Sequence, residues 1–133
     1  MTSKVIYKGD LRTEAKHIRS GNTIITDAPT DNSGKGEAFS PTDLVVTALA
    51  SCMLTIMGIK ANEIKINIEG ASAVVKKIMA ASPRRIAKVI IVINISTPAD
   101  EKTKNILEKA ALTCPVEKSL SDSMIREVKF IWS

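Results

Sequence analysis

The segment SPTDLVVTALASCMLTIMGIKANE, Ser40–Glu63, has no proline after Pro41 and constrains the fold more than any other stretch. It opens as a helix should. Ser40 is a hydroxyl N-cap, Pro41 takes the first helical position, and Asp43 follows the cap by three residues as a capping-box acid. A helix of this length runs about 30 Å. Leu44, Val45, Val46, Leu49, Met53, Leu54, Ile56 and Met57 lie on all its sides, so it has to be covered all round. The remaining chain offers one modest sheet, enough for one face. A second copy of the chain is the simplest cover for the other, and a dimer is expected.

The flanking segments read as strands and short helices. KVIYKG and LRTEAKHI alternate as strands, and RSGN (19–22) turns the chain into TIITD. A polar loop, APTDNSGKGEAF (28–39), precedes the long helix and has the length of a lid or site wall. After the helix, IKINIEGASAVVKKIMA alternates at Ile64, Ile66 and Ile68, which predicts a strand with a bulge or bend at Gly70. ASPRR turns into IAKVIIVINIS, a β-branched run that reads as a central strand. TPADEKTKNILEKAAL predicts an amphipathic helix capped at Thr97, with Ile106, Leu107 and Ala110 inward. A short helix in CPVEKSLSD and a last strand, IREVKFIW, complete the order β-β-β-α-β-β-α-α-β. This is an α+β pattern, expected as a single domain over residues 1–133 with an antiparallel sheet packed on a long buried helix.

Composition limits the partners. Apolar residues at 44% and charged residues at 25% are ordinary for a soluble globular protein. The N-terminal MTSKVIYKGD has no apolar core of a secretory signal, and the apolar run Leu44–Ile59 is short for a membrane span, so a cytoplasmic protein without a membrane partner is expected. The net charge of +5 is scattered and mixed with acids, and aromatic residues make up only 3%. That argues against nucleic acid as a partner.

Two cysteines, Cys52 and Cys114, lie 62 positions apart with no C-x-x-C, and the chain has one histidine. No metal site follows from that spacing. The thiols are either inert core residues or a redox pair. Cys114 stands where CPVE repeats the cap pattern of SPTD, with a thiol in place of the hydroxyl. There the first-turn N–H groups favour a thiolate, which makes Cys114 the easier thiol to ionise. Cys52 lies about three turns into its helix, beyond the reach of the helix dipole. A side-chain cation would have to ionise it, and the first hairpin offers Arg12, His17 and Arg19.

At these residues a resemblance becomes specific. SPTDLVVTALASC followed at a distance by TCPVEKSL, together with TDAPTDNSGKGEAFSPTDL, SCMLTIMGI and SPRRI, resembles the OsmC/Ohr family of osmotically induced and organic-hydroperoxide-resistance proteins. The resemblance covers residues 10–125. It implies an intertwined dimer with central helices between two sheets, in agreement with the all-round apolar helix. It also implies a thiol peroxidase that reduces organic hydroperoxides, with Cys52 as the attacking thiol and Cys114 as the resolving one. No bound cofactor is implied, and an external dithiol of the lipoyl type would return the disulfide to thiols.

The hydroperoxide-reducing members of that family carry a glutamate directly after the helix proline, paired with an arginine from the early strands. Here Thr42 holds the glutamate position and Asp43 follows it, while Arg12 fits the arginine position best. A second expectation therefore stands beside the first: a non-catalytic dimer of the same fold that binds a small apolar ligand in its interface pocket.

Overall fold

The computed structural model describes residues 1–133. Its elements are β1 (Ser3–Gly9), β2 (Arg12–His17), β3 (Thr23–Asp27), a 3-10 turn at Thr30–Asn32, α1 (Pro41–Glu63), β4 (Ser72–Ala80), β5 (Arg85–Ile95), α2 (Glu101–Ala111), α3 (Pro115–Ser119) and β6 (Ile125–Trp132). The α+β order is as expected. The chain gathers into two compact units, Met1–Val45 and Val46–Ser133, with α1 beginning in the first.

The first unit is an antiparallel sheet of order β1-β2-β3. Asp10 and Leu11 join β1 to β2 with positive φ at both positions, the backbone a tight right-twisted hairpin requires. Arg12 and Asp27 face each other on the last rung of β2 and β3. The loop after β3 is folded rather than open. Gly34 N–H donates to the Pro29 carbonyl at 2.9 Å, and Gly36 N–H donates to that of Ala28 at 3.2 Å. A β-carbon on Gly34 would collide with the Ala28 carbonyl, so only glycine closes this loop.

The second unit holds the main core. One stripe of α1, Val46, Leu49, Ala50, Met53, Met57 and Ala61, is buried at helical spacing. It clusters with Val89, Ile91, Ile93 and Ile95, the buried alternate residues of β5, and with Leu107, Ala111, Cys114 and Met124. β5 is central, as its β-branched run predicts, in the order β4-β5-β6. The other flank of α1, with Ala48, Ser51, Thr55 and Ile59, is exposed on the single chain. By length and composition alone, α1 is apolar and long enough to cross a bilayer, which the count over Leu44–Ile59 does not suggest.

Four expectations are corrected. The chain has two three-stranded sheets rather than one. β6 runs parallel to β5, so the second sheet is mixed. The two helices between β5 and β6 form a crossover, which returns the chain to the end where β5 began, whereas a hairpin would reverse it. Third, Ile64–Glu69 is not strand. α1 continues to Glu63 and closes with Lys65 at φ +60, as Lys65 N–H donates to the Asn62 carbonyl and Ile66 N–H to that of Ala61. This Schellman closure absorbs the residues whose alternation mimics a strand. Gly70, at φ +90, lies in the turn before β4, and the bulge of this pair falls at Ile78–Met79. Fourth, α2 is capped by Asp100, which accepts from Thr103 N–H at 2.8 Å, because Thr97 instead donates to the Asn67 carbonyl at 2.7 Å.

Candidate active site

Cys52 sits on α1 next to the buried stripe, half-buried and packed against the core cluster. Cys114 is fully buried and caps α3, with its Sγ accepting from Glu117 N–H at 3.4 Å. Both thiols are free, and they are close enough to interact directly. The folded unit therefore brings together two cysteines that are 62 positions apart in the chain.

The ionisation expected of Cys114 is overturned. Its pKa is raised, first by burial, and contact with the Cys52 thiol adds to the rise. The N–H groups of Glu117 and Val116 pull in the other direction without prevailing. The cap geometry is as expected, but α3 has only five residues and Cys114 is fully buried. Desolvation of a thiolate outweighs the field of so short a helix.

Around α3 one residue, Arg126, stands out that sequence reasoning did not single out, and it binds Glu117, the acid of the CPVE cap pattern. Arg126, on β6, donates from Nε to the Glu117 carboxylate at 3.0 Å and from Nη2 to the Glu117 carbonyl at 3.2 Å. Its Nη1 donates to the Ser121 carbonyl at 2.7 Å and to that of Met124.

In the first unit Arg12 is gripped by Asp27. Nε donates to Oδ1 at 2.7 Å and Nη2 to Oδ2 at 2.8 Å, a bidentate pair on a fully buried carboxylate. Glu37 N–H donates to Asp27 Oδ2 at 3.2 Å, and the Glu37 carboxylate lies 3.5 Å from Arg12 Nη2. The Arg12 hydrogen bond is the main cause that holds the Asp27 carboxyl below its ordinary range, against the opposing effect of burial. The same bond raises the pKa of Arg12 further. Neither acid was a sequence candidate. Asp27 ends a strand, where an aspartate reads as a turn former, and its partner is visible only once the register of β2 and β3 is known.

The remaining candidates have local roles. His17 Nδ1 meets Ser20 Oγ at 2.7 Å and accepts from Ser20 N–H at 3.3 Å, which pins the turn after β2, and Arg19 is exposed in that turn. Asp43 completes the capping box: its N–H donates to Ser40 Oγ and its Oδ2 accepts from Ser40 N–H, each at 3.0 Å. Thr42 Oγ1 lies 3.2 Å from Ser40 Oγ. No group of histidine, cysteine and acidic residues could hold a metal ion.

Residues 34–129 match the OsmC-like protein family. The chain belongs to that family. A crystal structure from Psychrobacter arcticus 273-4, provisionally named an osmotic stress induced and detoxification response protein, is 57% identical and superposes with a TM-score of 0.95. The match covers 98% of this chain and 95% of that one. An organic hydroperoxide resistance protein OsmC from Legionella pneumophila is 18% identical at TM-score 0.77, over 98% of this chain and 97% of that one. One from Elizabethkingia anophelis, with thiocyanate bound, is 14% identical at TM-score 0.77, over 100% and 97%. At such identities the two hydroperoxide resistance proteins share the OsmC-like fold, and nothing finer follows from the likeness. No curated protein sequence matches the chain.

The Arg12–Asp27 pair predicts an acid-dependent stability difference. The folded Asp27 pKa lies below its ordinary 3.8, so the charged pair stabilises above that value and loses this contribution as pH falls through the depressed pKa. Asp27→Asn is therefore expected to lower the urea midpoint at neutral pH, with the gap to wild type narrowing below about pH 4. A gap that stays constant down to about pH 2 would show that the charge contributes nothing.

Proposed function

We propose that this OsmC-like protein is a cysteine-based peroxidase that reduces organic hydroperoxides, with Cys52 attacking and Cys114 resolving. One observation carries the reading: in an otherwise apolar core, the only two thiols of the chain are direct neighbours. The Cys52 thiolate attacks the terminal peroxide oxygen, the O–O bond breaks, and the alkoxide leaves as alcohol after taking a proton. Cys52 is then a sulfenic acid. The Cys114 sulfur, losing its proton, attacks the Cys52 sulfur; the S–S bond forms and the hydroxide leaves as water. A dithiol of the lipoyl type reduces the disulfide and is itself oxidised to a disulfide. Arg12, which fits the early-strand arginine of the resemblance best, is the first-hairpin cation assigned to the Cys52 thiolate, and Asp27 supplies the carboxylate that orients its fork. We place the reaction in the cytoplasm, where thiols are kept reduced.

The reading includes a homodimer. The exposed flank of α1 offers the small residues Ala48, Ser51 and Thr55, which let a second helix approach closely, and Ile59. The first sheet leaves Val5, Tyr7 and Ile24 exposed on one face and Ile6 and Ile25 on the other. Light scattering at micromolar concentration should give twice the chain mass; a folded, compact monomer would remove this part of the proposal.

Mass measurement before and after one equivalent of cumene hydroperoxide tests the chemistry. Wild type should lose two hydrogens as a Cys52–Cys114 disulfide, reversibly with dithiol. Cys114→Ser should stop at Cys52 sulfenic acid and go on to sulfinic acid. Its stability should stay within about 1 kcal/mol, because serine accepts the same cap bond from Glu117 N–H. Cys52→Ser should do neither at a comparable rate. Peroxide that leaves Cys52 untouched in every variant ends the peroxidase reading and favours a ligand-binding dimer.

A further inference from the structure

We infer that Arg126 is a positioning residue for the resolving step, acting on Cys114 through Glu117. The inference rests on the two-cysteine reading above and adds a residue to it that neither the family resemblance nor the spacing of motifs points to.

The geometry is unusually complete for one side chain. Arg126 takes both the carboxylate and the carbonyl of Glu117, inside α3, and the carbonyls of Ser121 and Met124 beyond it. The guanidinium is thus bonded to the helix and to the loop after it, and ties both to β6. Its side chain is only 14% exposed and that of Glu117 23%, so water competes weakly for these bonds. In the sheet register Arg126 lies opposite Val89, a core residue, which puts its side chain on the helix-covered face. A surface arginine would swing between such acceptors, whereas a fork held at three nitrogens is fixed.

Glu117 is the one residue this clamp bonds twice, and Glu117 N–H is the donor to Cys114 Sγ. That bond has two consequences for resolution. It aims the buried sulfur, and it is the main interaction favouring the Cys114 thiolate against the cost of burial. An α3 of five residues has one turn of internal hydrogen bonds and little stability of its own. Without Arg126 its first turn would fray, and the donor would drift from the sulfur. The Cys52 sulfenic acid would then wait longer for its partner and meet a second peroxide, which adds an oxygen to give sulfinic acid and alcohol. Alternation in β6 puts Arg126 on the face of Val128 and Phe130, opposite Glu127 and Lys129, but the sequence does not show that α3 brings Glu117 to that face.

The partition of oxidised Cys52 between disulfide and sulfinic acid tests this, measured by mass at a tenfold excess of cumene hydroperoxide. Arg126→Met should raise the sulfinic-to-disulfide ratio by about tenfold. Arg126→Lys, which cannot span four acceptors, should fall between, and Glu117→Gln should show a smaller rise because the Arg126 bond to the main chain remains. Circular dichroism confirms the fold of each variant; if the methionine variant unfolds, the lysine and glutamine variants give the result. Variants that match wild type while wild type forms its disulfide overturn the clamp and leave the peroxidase reading intact. A wild type that forms no disulfide overturns both.

Discussion

The packing of one α1 stripe on the buried row of β5 is the contact on which the second unit depends. Leu49, Met53 and Met57 meet Val89, Ile91, Ile93 and Ile95, and the cysteines are positioned as by-products of that packing. Cys52 precedes Met53 on the helix, so it sits at the edge of the stripe, half in the core. Cys114 belongs to the same cluster, delivered there by the crossover of α2 and α3. Interiors are packed densely enough that a methylene too many is felt, so the separation of the two sulfurs is set by aliphatic neighbours that take no part in chemistry.

That placement has a consequence for Cys114. A helix cap and full burial act on Cys114 in opposite directions, and burial prevails. A buried thiol that is mostly protonated is poorly reactive towards peroxide in general, but it can still attack a sulfenic acid held beside it. The two thiols differ in access: Cys52 is partly open and Cys114 is closed, which suits the roles proposed for them. In the first unit a parallel economy holds Arg12. Its Nε edge is given to Asp27, while no side chain of the chain bonds Nη1.

What could be read from the sequence follows the range of the interactions. The capping box of Ser40 and Asp43, the thiol cap at Cys114, the central β5 and the last strand from Ile125 all depend on neighbours a few residues away, and all appear as expected. The errors arise where local signals compete. Ile64, Ile66 and Ile68 alternate like a strand, yet the helix closes through them by hydrogen bonds that period-two patterning cannot encode. Thr97 is a good cap by type, but a carbonyl thirty residues earlier draws it away. Asp27 and Arg126 depend on register and on a parallel crossover, and a single sequence shows neither. The pairing of Cys52 with Cys114 came from the family resemblance; spacing alone left the thiols open.

Turnover tests the central claim, that the neighbouring thiols form a recyclable redox pair, more directly than any single oxidation. Consumption of cumene hydroperoxide is followed with dihydrolipoamide as the only reductant, at a protein concentration far below that of either reagent. The account predicts many peroxides reduced per chain, one dithiol oxidised for each, and loss of sustained turnover in both Cys52→Ser and Cys114→Ser. Consumption that stops at one equivalent per chain, or that continues unchanged in Cys52→Ser, would contradict it.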